Sequence, residues 1–99
     1  FIGDGQLDGE RVLQAQTVRE MRKIPFPKAD SKQGLVWYFD KLGGDKVMGH
    51  DGSDPGVSTI MQYRLKDGIG YVILQNGEPR NGKFEQALSL RLMKYAEGR

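Results

Sequence analysis

Two apolar stretches separated by a short polar break, Val57 to Leu65 and Ile69 to Asn76, dominate the C-terminal half of this chain. Joined around Asp67-Gly68, they predict an antiparallel hairpin, because aspartate and glycine tolerate the positive φ of a tight turn. Val72 and Leu74 alternate with Tyr71 and Ile73, so the second strand is apolar on both faces and requires cover on both sides of its sheet. Phe84, Ala87, Leu88, Leu92 and Tyr95 recur at three- and four-residue spacing. That period predicts a helix of about Gly82 to Glu97 covering one face. The second cover is expected to be missing from this chain, leaving an exposed apolar sheet face or a bare edge strand and hence self-association.

Upstream, Leu35 to Asp40 is rich in β-formers, with Leu35, Trp37 and Phe39 on one face and Val36, Tyr38 and Asp40 on the other. Gly43-Gly44-Asp45 reads as a turn, after which Lys46 to Gly49 returns antiparallel and carries His50 to the end of the sheet. Residues 1–11 read as a connector, since Gly3, Gly5 and Gly9 break any period. Thr17 with Glu20 three residues on makes a capping-box signature, placing Val18 and Met21 on one side of a short helix. Ile24-Pro25-Phe26-Pro27 ends it, because proline disfavours helix at the residue before it. The expected class is α+β: an antiparallel sheet with a packed C-terminal helix, divided as 1–33 loop and short helix, 34–76 strands and 77–99 helix.

Composition narrows the function classes. Apolar residues and glycine make up about 47% of the 99 residues, within the roughly 45–50% of folded domains. One domain is the expected count. Fifteen basic and thirteen acidic residues leave a net charge of +2 without a run of like charge, which argues against an electrostatic tail. There is no cysteine, so disulfides and thiolate metal sites are excluded. No apolar run approaches the roughly 18 residues of a membrane span.

The candidate chemistry lies in Gly49-His50-Asp51-Gly52-Ser53-Asp54-Pro55-Gly56, where the only histidine sits in a glycine-rich turn between strand-like segments. Glycines let a ligand approach the backbone and uncover amide N–H groups, while an imidazole titrates near neutral pH. His50 has two readings on these grounds: a strand-end histidine held by backbone carbonyls, or a residue facing a reactive site. Gly52 is either a bulge glycine or a point of close approach. Asp51 and Asp54 beside His50 lack the regular oxygen ligands of a calcium loop, and there is no second histidine, so no metal site is expected. Asp54-Pro55-Gly56 reads as a turn.

The segment resembles the His-x-Gly box of the serine β-lactamase and penicillin-binding-protein-like hydrolases, class C type. The likeness extends to Gly5-Gln6-Leu7-Asp8-Gly9-Glu10-Arg11-Val12-Leu13, Thr17-Val18-Arg19-Glu20-Met21, Gly34-Leu35-Val36-Trp37 and Gly70-Tyr71-Val72-Ile73-Leu74-Gln75-Asn76, in the family's order. The resemblance implies a partial β-lactamase/transpeptidase-like fold and a serine hydrolase acting on ester, amide or peptide bonds through an acyl-enzyme. In it, His50 would contact the substrate, the Ser53 amide would give one oxyanion-hole N–H, Gly52 would let the substrate lie against the strand, and no cofactor would be required. A periplasmic or secreted setting is suggested by the resemblance alone.

The chain departs from that pattern in one decisive respect. No serine is followed three residues later by lysine, and no tyrosine or serine by asparagine two residues later. The chemistry needs both. The chain begins at Phe1, and the expectation is a C-terminal piece, inactive alone, whose partner is the missing N-terminal part of the same hydrolase and whose ligand is a small-molecule or peptide substrate. Asp51 occupies a position where family members that bind carboxylates carry threonine or serine. If its side chain faces the cleft, neutral or cationic substrates are favoured. Two other classes remain open. One is a small basic sheet using Tyr63, Arg64, Lys66 and Tyr71 on single-stranded nucleic acid, disfavoured by the dispersed charge, so that no nucleic-acid partner is expected. The other is a non-catalytic relative that binds protein or peptidoglycan.

Overall fold

The computed structural model describes residues 1–78 and 81–98. The expected helical region 77–99 therefore includes Pro79, Arg80 and Arg99, which lie outside the described residues. The chain forms two compact units, divided in sequence between Phe39 and Asp40.

The first unit contains an element that glycine content concealed. Two short strands, β1 (Gln6–Leu7) and β2 (Glu10–Arg11), pair antiparallel with Gln6 opposite Arg11. Asp8 and Gly9, with φ of 50° and 84°, supply the two consecutive positive φ values of a type I′ turn, so the expected connector is a hairpin. Helix α1 (Ala15–Arg22) starts earlier than its capping-box signature implies. Gln14 is the N-cap, its side chain makes no cap bond, and Val18 N–H closes the first turn on the Gln14 carbonyl at 3.1 Å. Thr17 is thus inside the helix and caps nothing. The fully buried Val18 anchors it.

Arg22, in the last turn of α1, donates to Asp4 Oδ1 at 2.8 Å and to the Phe1 carbonyl at 2.6 Å, and its guanidinium lies 5.5 Å from the Phe1 ring centroid. Phe1 in turn packs against Trp37 with centroids 5.2 Å apart. The strand expected from Leu35 begins only at Tyr38. Gly34 N–H bonds the Trp37 carbonyl at 2.7 Å and Phe39 N–H the Lys32 carbonyl at 2.8 Å, which puts Leu35 and Val36 at the exposed tip of a tight turn.

The second unit is built on a sheet of order β3-β4-β5-β6, made of β3 (Tyr38–Leu42), β4 (Asp45–Asp54), β5 (Val57–Arg64) and β6 (Gly70–Gln75). Gly43 and Gly44, both at positive φ, turn β3 into β4. The β5–β6 hairpin around Asp67-Gly68 matches the sequence pattern, and so does helix α2 (Gly82–Glu97), which Asn81 caps by accepting from Phe84 N–H at 3.0 Å. The architecture is α+β with antiparallel sheets and a C-terminal helix.

Leu42, Val47, Tyr71, Ile73 and Met93 form the buried core, with Ile60, Ile69, Leu88 and Leu92 packed against it. Leu88 and Leu92 of the expected stripe pack against the core, but Phe84, Ala87 and Tyr95 do not belong to the buried face. Ser89 and Met93 are its buried residues, whereas Phe84 and Tyr95 are 61% and 64% exposed and Ala87 is also exposed. Small Ser89 permits close approach and bonds the Tyr71 hydroxyl, which also donates to Gln62 Oε1 at 2.6 Å. A buried phenol needs such partners, and burial raises its pKa. The opposite face of β6 is bare, with Val72 60% and Leu74 76% exposed. Among the described residues no helix is long and apolar enough to cross a membrane.

Candidate functional site

His50 lies in the middle of a strand, not in a turn at the end of the sheet. The β4–β5 register runs unbroken from Val47 opposite Arg64, through His50 opposite Met61 and Gly52 opposite Thr59, to Asp54 opposite Val57. Only Pro55-Gly56 turns, with Gly56 at φ 82° as the third residue of a type II turn requires. Gly52 is therefore not a bulge. Gly49 is the glycine that packing demands: a Cβ there would stand 2.1 Å from the Met61 carbonyl oxygen and 2.6 Å from Gln62 Cγ. Reading the glycines as turn formers shortened the expected strand. Gly49 is instead a site where a neighbouring strand approaches closely.

Strand alternation separates the candidate residues into two sets. His50 and Gly52 share a face with Met61, Thr59, Val72 and Leu74. Asp51 and Ser53 share the other with Ile60, Ser58 and Ile73, the face that α2 covers. The Asp51 carboxylate thus lies on the opposite face from the His50 imidazole. What joins the two residues is the backbone: His50 Nδ1 donates to the Asp51 carbonyl at 2.7 Å. This orients the ring and assigns its neutral tautomer, with the proton on Nδ1 and Nε2 left as an acceptor. Beside the ring is a shallow cavity of about 210 Å³ whose walls include Met61, Val72 and Leu74.

Ladder parity also sets the direction of each amide. Leu65 N–H bonds the Lys46 carbonyl at 3.1 Å, so the even-numbered residues of β4 exchange hydrogen bonds with β5. Asp51 and Ser53 then direct their N–H and C=O groups toward the outer edge of β4. The neighbour on that side, β3, has five residues against ten in β4, and a two-residue turn joins them, so it is exhausted at about Gly49. Ser53 is exposed, and its amide points past the end of β3.

The α2 face carries a larger cleft of about 590 Å³, lined by Asp51, Ser53, Asp54, Ser58, Glu78 and Glu85 among others. Glu78 accepts from Gly56 N–H at 3.1 Å. Sequence reading missed Ser58, Glu78 and Glu85, which only the register and the docking of α2 bring together. Among the described residues no group of three or more His, Cys, Asp or Glu side chains could hold a metal ion.

No protein-family model, curated protein or solved structure matches this chain. The site's own chemistry carries the functional argument. The aromatic and basic residues considered for nucleic acid form no exposed stacking surface: Tyr63, Arg64 and Tyr71 are buried, Tyr63 donates to Met48 Sδ at 3.6 Å, and Lys66 holds Asp45 at 2.8 Å.

Proposed function

We propose that this chain is the C-terminal portion of a β-lactamase-related serine hydrolase that cleaves ester, amide or peptide bonds through an acyl-enzyme. The nucleophile belongs to another part of the same protein, and this segment supplies one wall. The observation that supports the reading is the outward aim of the Ser53 amide at the outer edge of β4, three residues along the strand from an imidazole oriented by the Asp51 carbonyl.

In this reading a substrate lies along the outer edge of β4. Ser53 N–H donates to the oxyanion as the tetrahedral intermediate forms, a contact stronger there than to the ground-state carbonyl. His50 Nε2 accepts from, or as imidazolium donates to, the bound substrate. Gly52 has no side chain to obstruct it. The Asp51 carboxylate belongs to the α2 face, so it does not repel carboxylate-bearing substrates, and their exclusion no longer follows.

The test uses the intact parent protein and an activated-serine probe. The parent acylates while the 99-residue chain does not. Ser53→Pro, which deletes the amide on a side of β4 that makes no ladder bond to β5, lowers kcat by about 10²-fold or more, while Ser53→Ala retains it. Equal activity of the two variants would overturn the oxyanion role. A parent that never acylates favours the binding-module reading, which the apolar cavity beside His50 would serve.

A further inference from the structure

The same dipeptide occurs twice between the sheet and the last helix, as Asn76-Gly77 and Asn81-Gly82. The carboxamide carbon of an asparagine is open to attack by the main-chain nitrogen of the next residue, and a glycine there has no side chain to hinder the approach. In a folded chain the reaction needs a carboxamide free to turn and a backbone free to leave its extended form. The structure sets the two copies apart on both counts.

Asn81 meets neither condition. It is the N-cap of α2, its Oδ1 accepts from Phe84 N–H at 3.0 Å, and its backbone is extended, with φ −164° and ψ 154°. Turning the carboxamide toward Gly82 N gives up the cap of a helix anchored by the buried Ser89 and Met93. Asn76 follows the last residue of β6, and neither its side chain nor Gly77 N–H has a hydrogen-bond partner among the described residues. Gly77 is exposed, and a Cβ built on it would meet nothing within 4 Å. Packing leaves this dipeptide room to turn.

We propose that Asn76 is a site of spontaneous deamidation whose product loosens the β4–β5 turn, independently of the hydrolase reading. Gly77 N gives up its proton and bonds to Asn76 Cγ, the Cγ–Nδ2 bond breaks, and ammonia leaves a five-membered cyclic imide. Water then opens the imide at either carbonyl. Cleavage of the bond from nitrogen to Cγ gives aspartate, and cleavage of the bond from nitrogen to the main-chain carbonyl gives isoaspartate. Water is the only co-reactant, and nothing is oxidised or reduced. Isoaspartate routes the chain through Cβ, which inserts one carbon, about 1.5 Å, two residues before Glu78. Glu78 accepts from Gly56 N–H at 3.1 Å, a bond that ties the segment after β6 to the turn joining β4 and β5. The inserted carbon displaces Glu78 from that amide and releases the turn next to Ser53 and Asp54.

The test incubates the 99-residue chain at mildly alkaline pH, folded and in denaturant, and follows its tryptic peptides by mass spectrometry, since cleavage after Arg80 separates the two asparagines. In the folded chain Asn76 converts about tenfold faster than Asn81, and in denaturant the two rates converge. Gly77→Ala, for which there is open space, slows conversion at position 76 about tenfold and leaves Asn81 unchanged. A second product of equal mass, separated by chromatography, marks isoaspartate. As it accumulates, the Gly56 amide shift moves to its value in Glu78→Ala, whereas Asn76→Asp, which keeps the backbone length, leaves it in place. A dispersed amide spectrum for each variant shows that it has folded. Equal rates at the two asparagines in the folded chain, conversion that Gly77→Ala does not slow, or a Gly56 shift indifferent to isoaspartate would each overturn the proposal.

Discussion

Arg64 Nη2 lies 2.5 Å from Asp67 Oδ2, and the same guanidinium reaches Asp45 and Glu97. One nearly buried cation, 5% exposed, therefore ties the β5–β6 turn to the start of β4 and to the last turn of α2. The planar fork of arginine suits several carboxylates at once, as a lysine would not. Asp67 also accepts from Ile69 N–H at 3.2 Å, which fixes the turn.

This cluster sets an acid limit on stability. The Arg64 hydrogen bond lowers the pKa of Asp67, the Lys66 hydrogen bond lowers that of Asp45, and hydrogen bonds to Asp67 and Glu97 raise that of Arg64. For the two aspartates the folded value lies below the unfolded one, so in acid the unfolded chain binds more protons and stability rises with pH. Their contribution is present above the unfolded value of about 4 and is lost as pH falls through the folded values. Urea midpoints at neutral pH and in the acid range measure this. Arg64→Met shows a shallower acid dependence than the parent sequence, and parallel profiles would exclude the mechanism.

Gly49 and Gly52 make a contrasting pair. A methyl group at Gly49 meets main-chain oxygen of Met61 at 2.1 Å, which cannot yield without moving β5, whereas at Gly52 its nearest neighbour is the rotatable Thr59 Oγ1 at 3.3 Å. Gly49→Ala should destabilise by about 2–4 kcal/mol, and Gly52→Ala by less than about 1 kcal/mol. Denaturant unfolding of both variants tests the distinction. Equal losses would mean that β4 is not held against β5 in this register.

The hairpin β5–β6 and helix α2 were legible because their signals are local: an Asp-Gly turn between apolar runs, and apolar residues recurring at three- and four-residue spacing. The extent of β4 was not. Gly49 and Gly52 read locally as chain breakers, and only the approach of Met61 and Gln62 shows why glycine occupies Gly49. Leu35 and Val36 have strand propensity but stand at a turn tip, since Lys32 to Phe39 folds back on itself. The stripe of α2 was legible at Leu88 and Leu92 but not at its margins: Phe84 and Tyr95 fit the period as well as Ser89 and Met93, and the fit of Ser89 against Tyr71 decides between them. Within the site, His50 was conspicuous as the single histidine. Ser58, Glu78 and Glu85 are ordinary in sequence and become neighbours only through tertiary structure.

The bare side of β6 gives the last prediction. β6 ends the sheet order, and Val72 and Leu74 stand on its open face with Met61 beside Val72 in register. An exposed edge next to an apolar face favours pairing with another chain, and the strand itself has no lysine, proline or bulge to discourage it. The 99-residue chain should therefore self-associate as concentration rises. Leu74→Lys, which places a charge on that edge, should suppress association while changing unfolding free energy by less than about 0.5 kcal/mol, because the leucine is already in solvent. Sedimentation of the two proteins over a range of concentrations measures the difference. A monomer at every concentration, or association that Leu74→Lys leaves intact, would show that this face is not the one that pairs.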